Sequence, residues 1–295
     1  MATQHEFPFL SRGPVFDSKT RAQYVRERLG AGIPDATRRI AALGAWIDAL
    51  DAAADHKQKE TSLEADFYKQ VLCDVLGYVT HPNPGATAYI KPPKALTRIK
   101  REPDAILGRS LGEADWAPSV VLEVKAPGTP FDVPQARDTQ MTPVEQAFDY
   151  GTSILGVRWI LVTDMRVVRL YSVDARHAFL EFDLARCAKD TSANGEFAHL
   201  HCFLHRDFLV GDEDDSPLTR LLRSSRATQQ ELLPSFYRAY SEIRRDLLAA
   251  LEQASRKLLP RPDKEELLSA TQRLLDRVLF VCYCESNPES LIPKG

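Results

Sequence analysis

No stretch of the chain approaches the roughly 18 consecutive apolar residues that a membrane-spanning helix requires, so a bilayer-spanning protein is not expected. The N-terminal MATQHEFPFLSRG lacks a basic segment followed by an apolar one, so secretion is not signalled. Cysteine is sparse. Cys73, Cys187, Cys202, Cys282 and Cys284 are odd in number, scattered and free of any CxxC, which points to reduced thiols and a cytoplasmic setting. A surplus of positive charge is also missing. The 38 Lys and Arg stand against 41 Asp and Glu, a net charge of -3, which excludes a uniformly basic nucleic-acid binder but not a local basic patch. There is no internal repeat and no low-complexity tract. The Gly-x-Ser-x-Gly and Walker-type loops of simple serine hydrolases and P-loop ATPases are absent. What remains is an ordinary globular composition, 44% hydrophobic and 27% charged over 295 residues, long enough to bury a core without disulfides or a structural metal.

The apolar spacing divides the chain into regions. Residues 1–57 read as helical, with Ile40, Leu43, Ile47 and Leu50 on one face. A second helix is predicted over Thr61–Leu76, with Ser62 as its N-cap, an apolar stripe of Leu63, Phe67, Val71 and Val75, and Gly77 as its stop. Prolines 82, 84, 92 and 93 then break any helix. Short strand-like runs follow at Thr87–Ile90, Asp104–Leu107, Ser119–Val124, Arg158–Thr163, Val167–Ser172 and Ala178–Phe182. A helix over Thr142–Ile154 interrupts them, signed by Thr142 as N-cap, Pro143 at the first helical position and Glu145 at the third. This alternation predicts an α/β fold. The acidic, breaker-rich Gly211–Pro217 marks a boundary, and 211–295 read as an all-α module. Its stripes are Leu232, Phe236, Tyr240, Ile243, Leu247 and Leu251, then Leu267, Leu268, Leu274, Leu275, Val278 and Leu279.

The chemistry concentrates in Pro103-Asp104 and Glu123-Val124-Lys125. Asp104 opens one predicted strand. Glu123 and Lys125 lie two apart on the next, so their side chains share a face. If those strands are neighbours, two carboxylates and an ammonium meet at one sheet edge. Hard carboxylates suit Mg²⁺, and a lysine beside them can orient a water or offset charge on a phosphate. Either half alone is more often a solvated strand face or a turn. However, Glu123 follows Ser-Val-Val-Leu, which reads as buried, and a charge that interrupts a buried strand needs a reason.

These residues resemble the PD-(D/E)XK nuclease family, whose pattern is an Asp at the start of one strand and a Glu-x-Lys on the next. Gln146-Ala-Phe-Asp-Tyr150 is similar to the Gln-x-x-x-Tyr found on the following helix in many such enzymes. The resemblance spans roughly residues 58–172 and implies a nuclease domain over 58–210, with a mixed central sheet flanked by helices. It implies that Asp104, Glu123 and the Val124 carbonyl hold Mg²⁺, with Mn²⁺ as an alternative, and that Lys125 positions the attacking water. Gln146 would hold Lys125 or a phosphate, and Tyr150 would contact the DNA backbone. An acidic residue on the preceding helix would support the metal site. Glu60 and Glu64 both qualify, and spacing does not separate them.

The helical tail is similar to the connector of type IIG restriction–modification enzymes, on Pro234–Tyr240, Arg244–Leu248 and Thr271–Glu285. That similarity implies a bacterial or archaeal phage-defence enzyme acting on double-stranded DNA, with methyltransferase and target-recognition domains beyond the apolar helix where this chain stops. S-adenosylmethionine would belong to that methyltransferase, since no Asn-Pro-Pro-Tyr and no glycine-rich cofactor loop occur here. The alternatives are a nuclease-like fold serving as a DNA-binding or assembly module, and the nuclease part of a helicase-linked type I subunit.

Two further clusters invite a ligand reading. Lys91, Lys94, Arg98, Lys100 and Arg101 form a run without an acid, leading into Asp104. It is a solvated loop or a phosphate-holding rim. His199, His201, Cys202 and His205 do not have the spacing of the common structural zinc sites, and their apolar neighbours predict a packed element with incidental histidines.

Overall fold

The computed structural model describes residues 15–56, 60–80, 88–91, 102–111, 116–135, 140–211, 215–256 and 263–286. The chain divides into two compact units, 1–223 and 224–295.

The first unit is a mixed α/β structure. Its six-stranded sheet runs in chain order: β1 (Ala88–Lys91), β2 (Ala105–Ser110), β3 (Trp116–Val124), β4 (Trp159–Thr163), β5 (Val167–Ser172) and β6 (Phe179–Asp183). Every neighbouring pair is antiparallel except β3–β4, which is parallel. A parallel pair needs a crossover, and α4 (Pro143–Ser153) supplies it. The helix starts where its sequence signature lies. Thr142 Oγ1 accepts from Glu145 N at 3.1 Å, and Glu145 Oε2 accepts from Thr142 N at 2.7 Å. Gly151 lets α4 lie close on the sheet, because a Cβ there would meet Ile160 Cδ1 at 2.8 Å.

Strand alternation sorts the core into layers. Val120, Leu122 and Val124 of β3, with Leu161 and Leu170, face the main core under α2 (Ala36–His56) and α6 (Glu196–Leu204). Trp46, Phe67 and Phe203 fill that layer and are almost wholly buried. The opposite face meets α4, where Ala147 and Phe148 pack on Ile160 and Val162, and Tyr150 and Ile154 pack on Ile106 and Val121. The remaining helices of this unit are α1 (Ser18–Arg28), α3 (Glu60–Phe67), α5 (Leu184–Lys189), α7 (Arg206–Leu209) and the start of α8 (Pro217–Ser255). Trp159 Nε1 donates to Thr219 Oγ1 at 3.1 Å, tying that start to the sheet.

Three local readings change. The second helix begins at Glu60, so Ser62 lies inside it and is not the N-cap. Its last part, Tyr68–Val75, is wound as a π-helix with i→i+5 bonds such as Leu76 N to Val71 O. β3 also starts earlier than its sequence suggests, because Pro118 sits where β3 is still paired only to β2. The β4 ladder begins at Val120, so the missing N–H costs nothing.

The second unit holds the rest of α8 and α9 (Lys264–Ser286). Thr271, Leu275 and Cys284 are buried there, and Gln272 Nε2 donates to Tyr240 Oη at 2.6 Å. Phe236, Ile243, Leu274, Val278 and Phe280 are exposed, so the apolar stripes read from the sequence are only partly covered within this unit. Among the described residues no helix is long and apolar enough to cross a membrane.

Candidate functional site

The site lies where β2 begins and β3 ends. The β2–β3 ladder closes with Ala105 opposite Leu122, so the next inward-facing N–H of β3 has no strand carbonyl to meet. Asp104 takes that place, its Oδ2 accepting from Val124 N at 2.6 Å. On the other edge, Lys125 N donates to Thr163 O at 2.8 Å, extending the parallel ladder by one residue. Backbone bonds on both sides therefore fix the Glu-x-Lys segment, and alternation turns Glu123 and Lys125 to the α4 face.

Glu123 is 4% exposed. Its Oε1 accepts from Lys125 Nζ at 2.5 Å, while Oε2 is buried with no hydrogen-bond partner among the described residues. Burial, reinforced by the charge of Asp104 and opposed by Lys125, pushes its pKa up to about 7. An unpartnered oxygen in a buried carboxylate is costly. A cation placed there would offset both the burial and the repulsion from Asp104.

The loop after Lys125 is held by a residue that the sequence did not mark. Asp164, in the β4–β5 turn, accepts from Gly128 N at 3.0 Å, and from Arg166 N at 3.1 Å and Val167 N at 2.7 Å. That turn carries Met165 at φ 69. The signal for it, Thr-Asp between two β runs, is an ordinary turn signature.

Of the remaining expected residues, Glu64 is half-buried on α3, and its charge reaches Glu123. Its Oε1 accepts from Tyr68 Oη at 2.6 Å. The backbone of Glu60 opens α3, but its side chain lies outside the described residues. Gln146 is half-buried on α4. Tyr150 is buried between α4 and the sheet, with its ring against Ile106 and Val121. Lys91 closes β1, while Lys94, Arg98, Lys100 and Arg101 lie outside the described residues. Tyr68 was missed, although it stands four residues after Glu64 on the same helix face.

The histidine-rich segment is built differently. His201 and His205 face each other with ring centroids 4.3 Å apart, and both are buried. His199 turns away to the Gly195 carbonyl at 3.0 Å and stacks on Phe203. Among the described residues no group of three or more His, Cys, Asp or Glu side chains converges in a way that could by itself enclose a metal ion. The carboxylate site therefore offers Asp104, Glu123 and a main-chain carbonyl to a cation that keeps most of its waters, as Mg²⁺ does.

One concavity of the first unit lies away from this chemistry. A cavity of about 300 Å³, lined by Arg109, Ser119, Arg158 and Trp159 among others, lies at the opposite end of β3. Ser119 is about 13 Å along the strand from Glu123. The carboxylate cluster is the stronger candidate, because a buried, unpartnered carboxylate oxygen lies there.

No protein-family model matches the chain, and neither a curated protein nor a solved structure matches it.

Proposed function

We propose that the first unit is a PD-(D/E)XK-type core, and that the chain is a Mg²⁺-dependent DNA endonuclease module of a restriction–modification or phage-defence enzyme. One observation carries the reading. Glu123, a buried carboxylate with an unpartnered oxygen, lies beside Asp104 and is paired to Lys125, at the buried end of its strand after Val120, Val121 and Leu122.

Asp104, Glu123 and the Val124 carbonyl would hold the ion, with Glu64 as the supporting carboxylate. Bound Mg²⁺ supplies charge neutralisation at the scissile phosphate and lowers the pKa of an attacking water. Lys125 supplies a mobile ammonium between the carboxylates and the substrate, placed to orient a water and to offset charge on the phosphate oxygens. Gln146, on the crossover helix, is the residue to hold Lys125 or a phosphate. Tyr150 contributes mainly by packing α4 on the sheet. The basic run 91–101 would hold flanking phosphates and give binding a salt dependence. The role of the helical module, as a link to methyltransferase and recognition domains using S-adenosylmethionine, rests on sequence similarity alone.

The test is nicking or cutting of plasmid DNA by the full chain with Mg²⁺ or Mn²⁺, against the same reaction in EDTA. Wild type is expected to cut only with metal, and Asp104→Ala and Lys125→Ala to lose cleavage while still unfolding in a cooperative thermal transition. Cleavage by either variant at the wild-type rate overturns the reading. DNA binding without cleavage by wild type supports the alternative of a binding or assembly module.

A further inference from the structure

Tyr68 stands at the point where α3 changes from α to π winding. A π-turn takes up an extra residue and so rotates the residues after it relative to those before it. Beyond that point Val71, Leu72 and Val75 are buried in the main core. At it, Tyr68 is half-buried and its hydroxyl donates to Glu64 Oε1 at 2.6 Å, a short bond of the kind made to an ionised acceptor. The ring is braced by Phe67, with centroids 6.3 Å apart. Burial, then the bond to Glu64 and the charges of Glu64, Asp104 and Glu123, push its pKa above the usual phenol range. A phenol hydroxyl has one hydrogen to donate, and here that hydrogen bond goes to Glu64.

We propose that Tyr68 is a positioning residue of the metal site: its hydroxyl holds Glu64, the helix carboxylate that would support the ion at Asp104 and Glu123. The inference rests on the metal-site reading above and deepens it. A neutral donor suits this task. It orients an anion without adding a positive charge that would compete with the bound cation, as a lysine or arginine at the same place would.

Isothermal titration of the full chain with Mn²⁺ tests this without relying on cleavage. Tyr68→Phe keeps the ring and removes only the hydroxyl. It is expected to weaken Mn²⁺ binding about tenfold, the range for a partner that orients a metal-site carboxylate, and to raise the Mg²⁺ concentration for half-maximal cleavage to match. The rate at saturating Mg²⁺ is expected to change far less. Glu64→Gln should weaken binding at least as much, and adding Tyr68→Phe to it should have no further effect, because Tyr68 acts through Glu64. Wild-type Mn²⁺ affinity in Tyr68→Phe overturns the proposal, as do effects of the two substitutions that multiply. A lowered melting temperature with unchanged affinity also overturns it, since that is the mark of packing alone. A wild-type chain that takes up no Mn²⁺ overturns the metal-site reading itself, and Tyr68's role with it.

Discussion

Glu123 and the pair His201–His205 share one mark and differ in everything around it. Each is buried, and each holds a side-chain atom without a hydrogen-bond partner among the described residues: Glu123 Oε2, His201 Nδ1 and His205 Nε2. Burial drives both toward their neutral forms, Glu123 up to about 7 and the histidines down to about 3. The neighbours then separate them. Glu123 feels the carboxylates of Asp104 and Glu64, whose field attracts a cation, against the single ammonium of Lys125. The histidines sit beside Arg39 and, for His205, Arg206, whose field repels one, opposed by the single carboxylate of Asp207 at 3.4 Å from His205 Nδ1. An unsatisfied buried atom is thus an incomplete sign of a ligand site. The sign of the surrounding charge decides whether the gap invites an ion or marks close packing.

The sharpest way to break this comparison is to remove the carboxylates. Asp104→Ala or Glu123→Gln is expected to reduce cleavage by at least about 10³-fold, since a metal contributes several kcal/mol to the transition state. A residual rate near wild type would put Glu123 in the same class as the histidines. Acid comes next. An unfolded histidine protonates near 6.5 and the folded pair only near about 3, so the unfolded chain binds more protons throughout that window. Stability from this source is complete above pH 6.5 and falls on acidification by about 1.4 kcal/mol per histidine per pH unit. Glu123 works in the opposite direction between 4.5 and about 7, because its folded form takes up a proton first. Urea unfolding at pH 7.5 and 5.0 should therefore show a net acid loss in wild type and a steeper one in Glu123→Gln. Equal slopes would contradict the assignment.

A third substitution probes the histidine side alone. Gly77 ends its helix at φ 78, and a Cβ there would meet His205 Nε2 at 2.7 Å. Gly77→Ala is expected to cost about 1–3 kcal/mol in chemical denaturation and to leave metal binding intact. Glu123→Gln should have the reverse profile. It is expected to stabilise the metal-free chain by about 1–3 kcal/mol at pH 8, the penalty of a buried charge relieved, with the gain shrinking toward pH 5. The smallest expected effect is none: His201→Phe should bind Mn²⁺ as wild type does, and a loss there would reopen the histidine cluster as a cation site.

Much of the scaffold was legible because its signals are local. The capping box of α4 is written in Thr142, Pro143 and Glu145, and β5 is bounded by turn residues at both ends. Glu123 stood out in the sequence because a charge interrupts a run that otherwise reads as core, and Asp104 because it opens the strand before it. The choice between Glu60 and Glu64 was not, since it depends on which side chain a neighbour holds. The π-turn that starts at Tyr68 was not either, because the four-residue steps of Leu63, Phe67, Val71 and Val75 also suit an ordinary α-helix. The early start of β3 was hidden by Pro118, whose tolerance there depends on where a strand about 40 residues later begins to pair. The extent of burial on α8 and α9 is likewise a property of what covers a stripe and not of the stripe.

The single parallel pairing in the sheet also sets an order of assembly. β2 and β3 join over a short connection, so Asp104 and Glu123 can meet early and cheaply in the folding chain. The β4 edge that anchors Lys125 through Thr163 arrives only after the long excursion through α4. Half of the site is thus a product of local zipping and half of late closure. A chain still emerging from the ribosome would carry its clustered acids well before it could hold Lys125 in register.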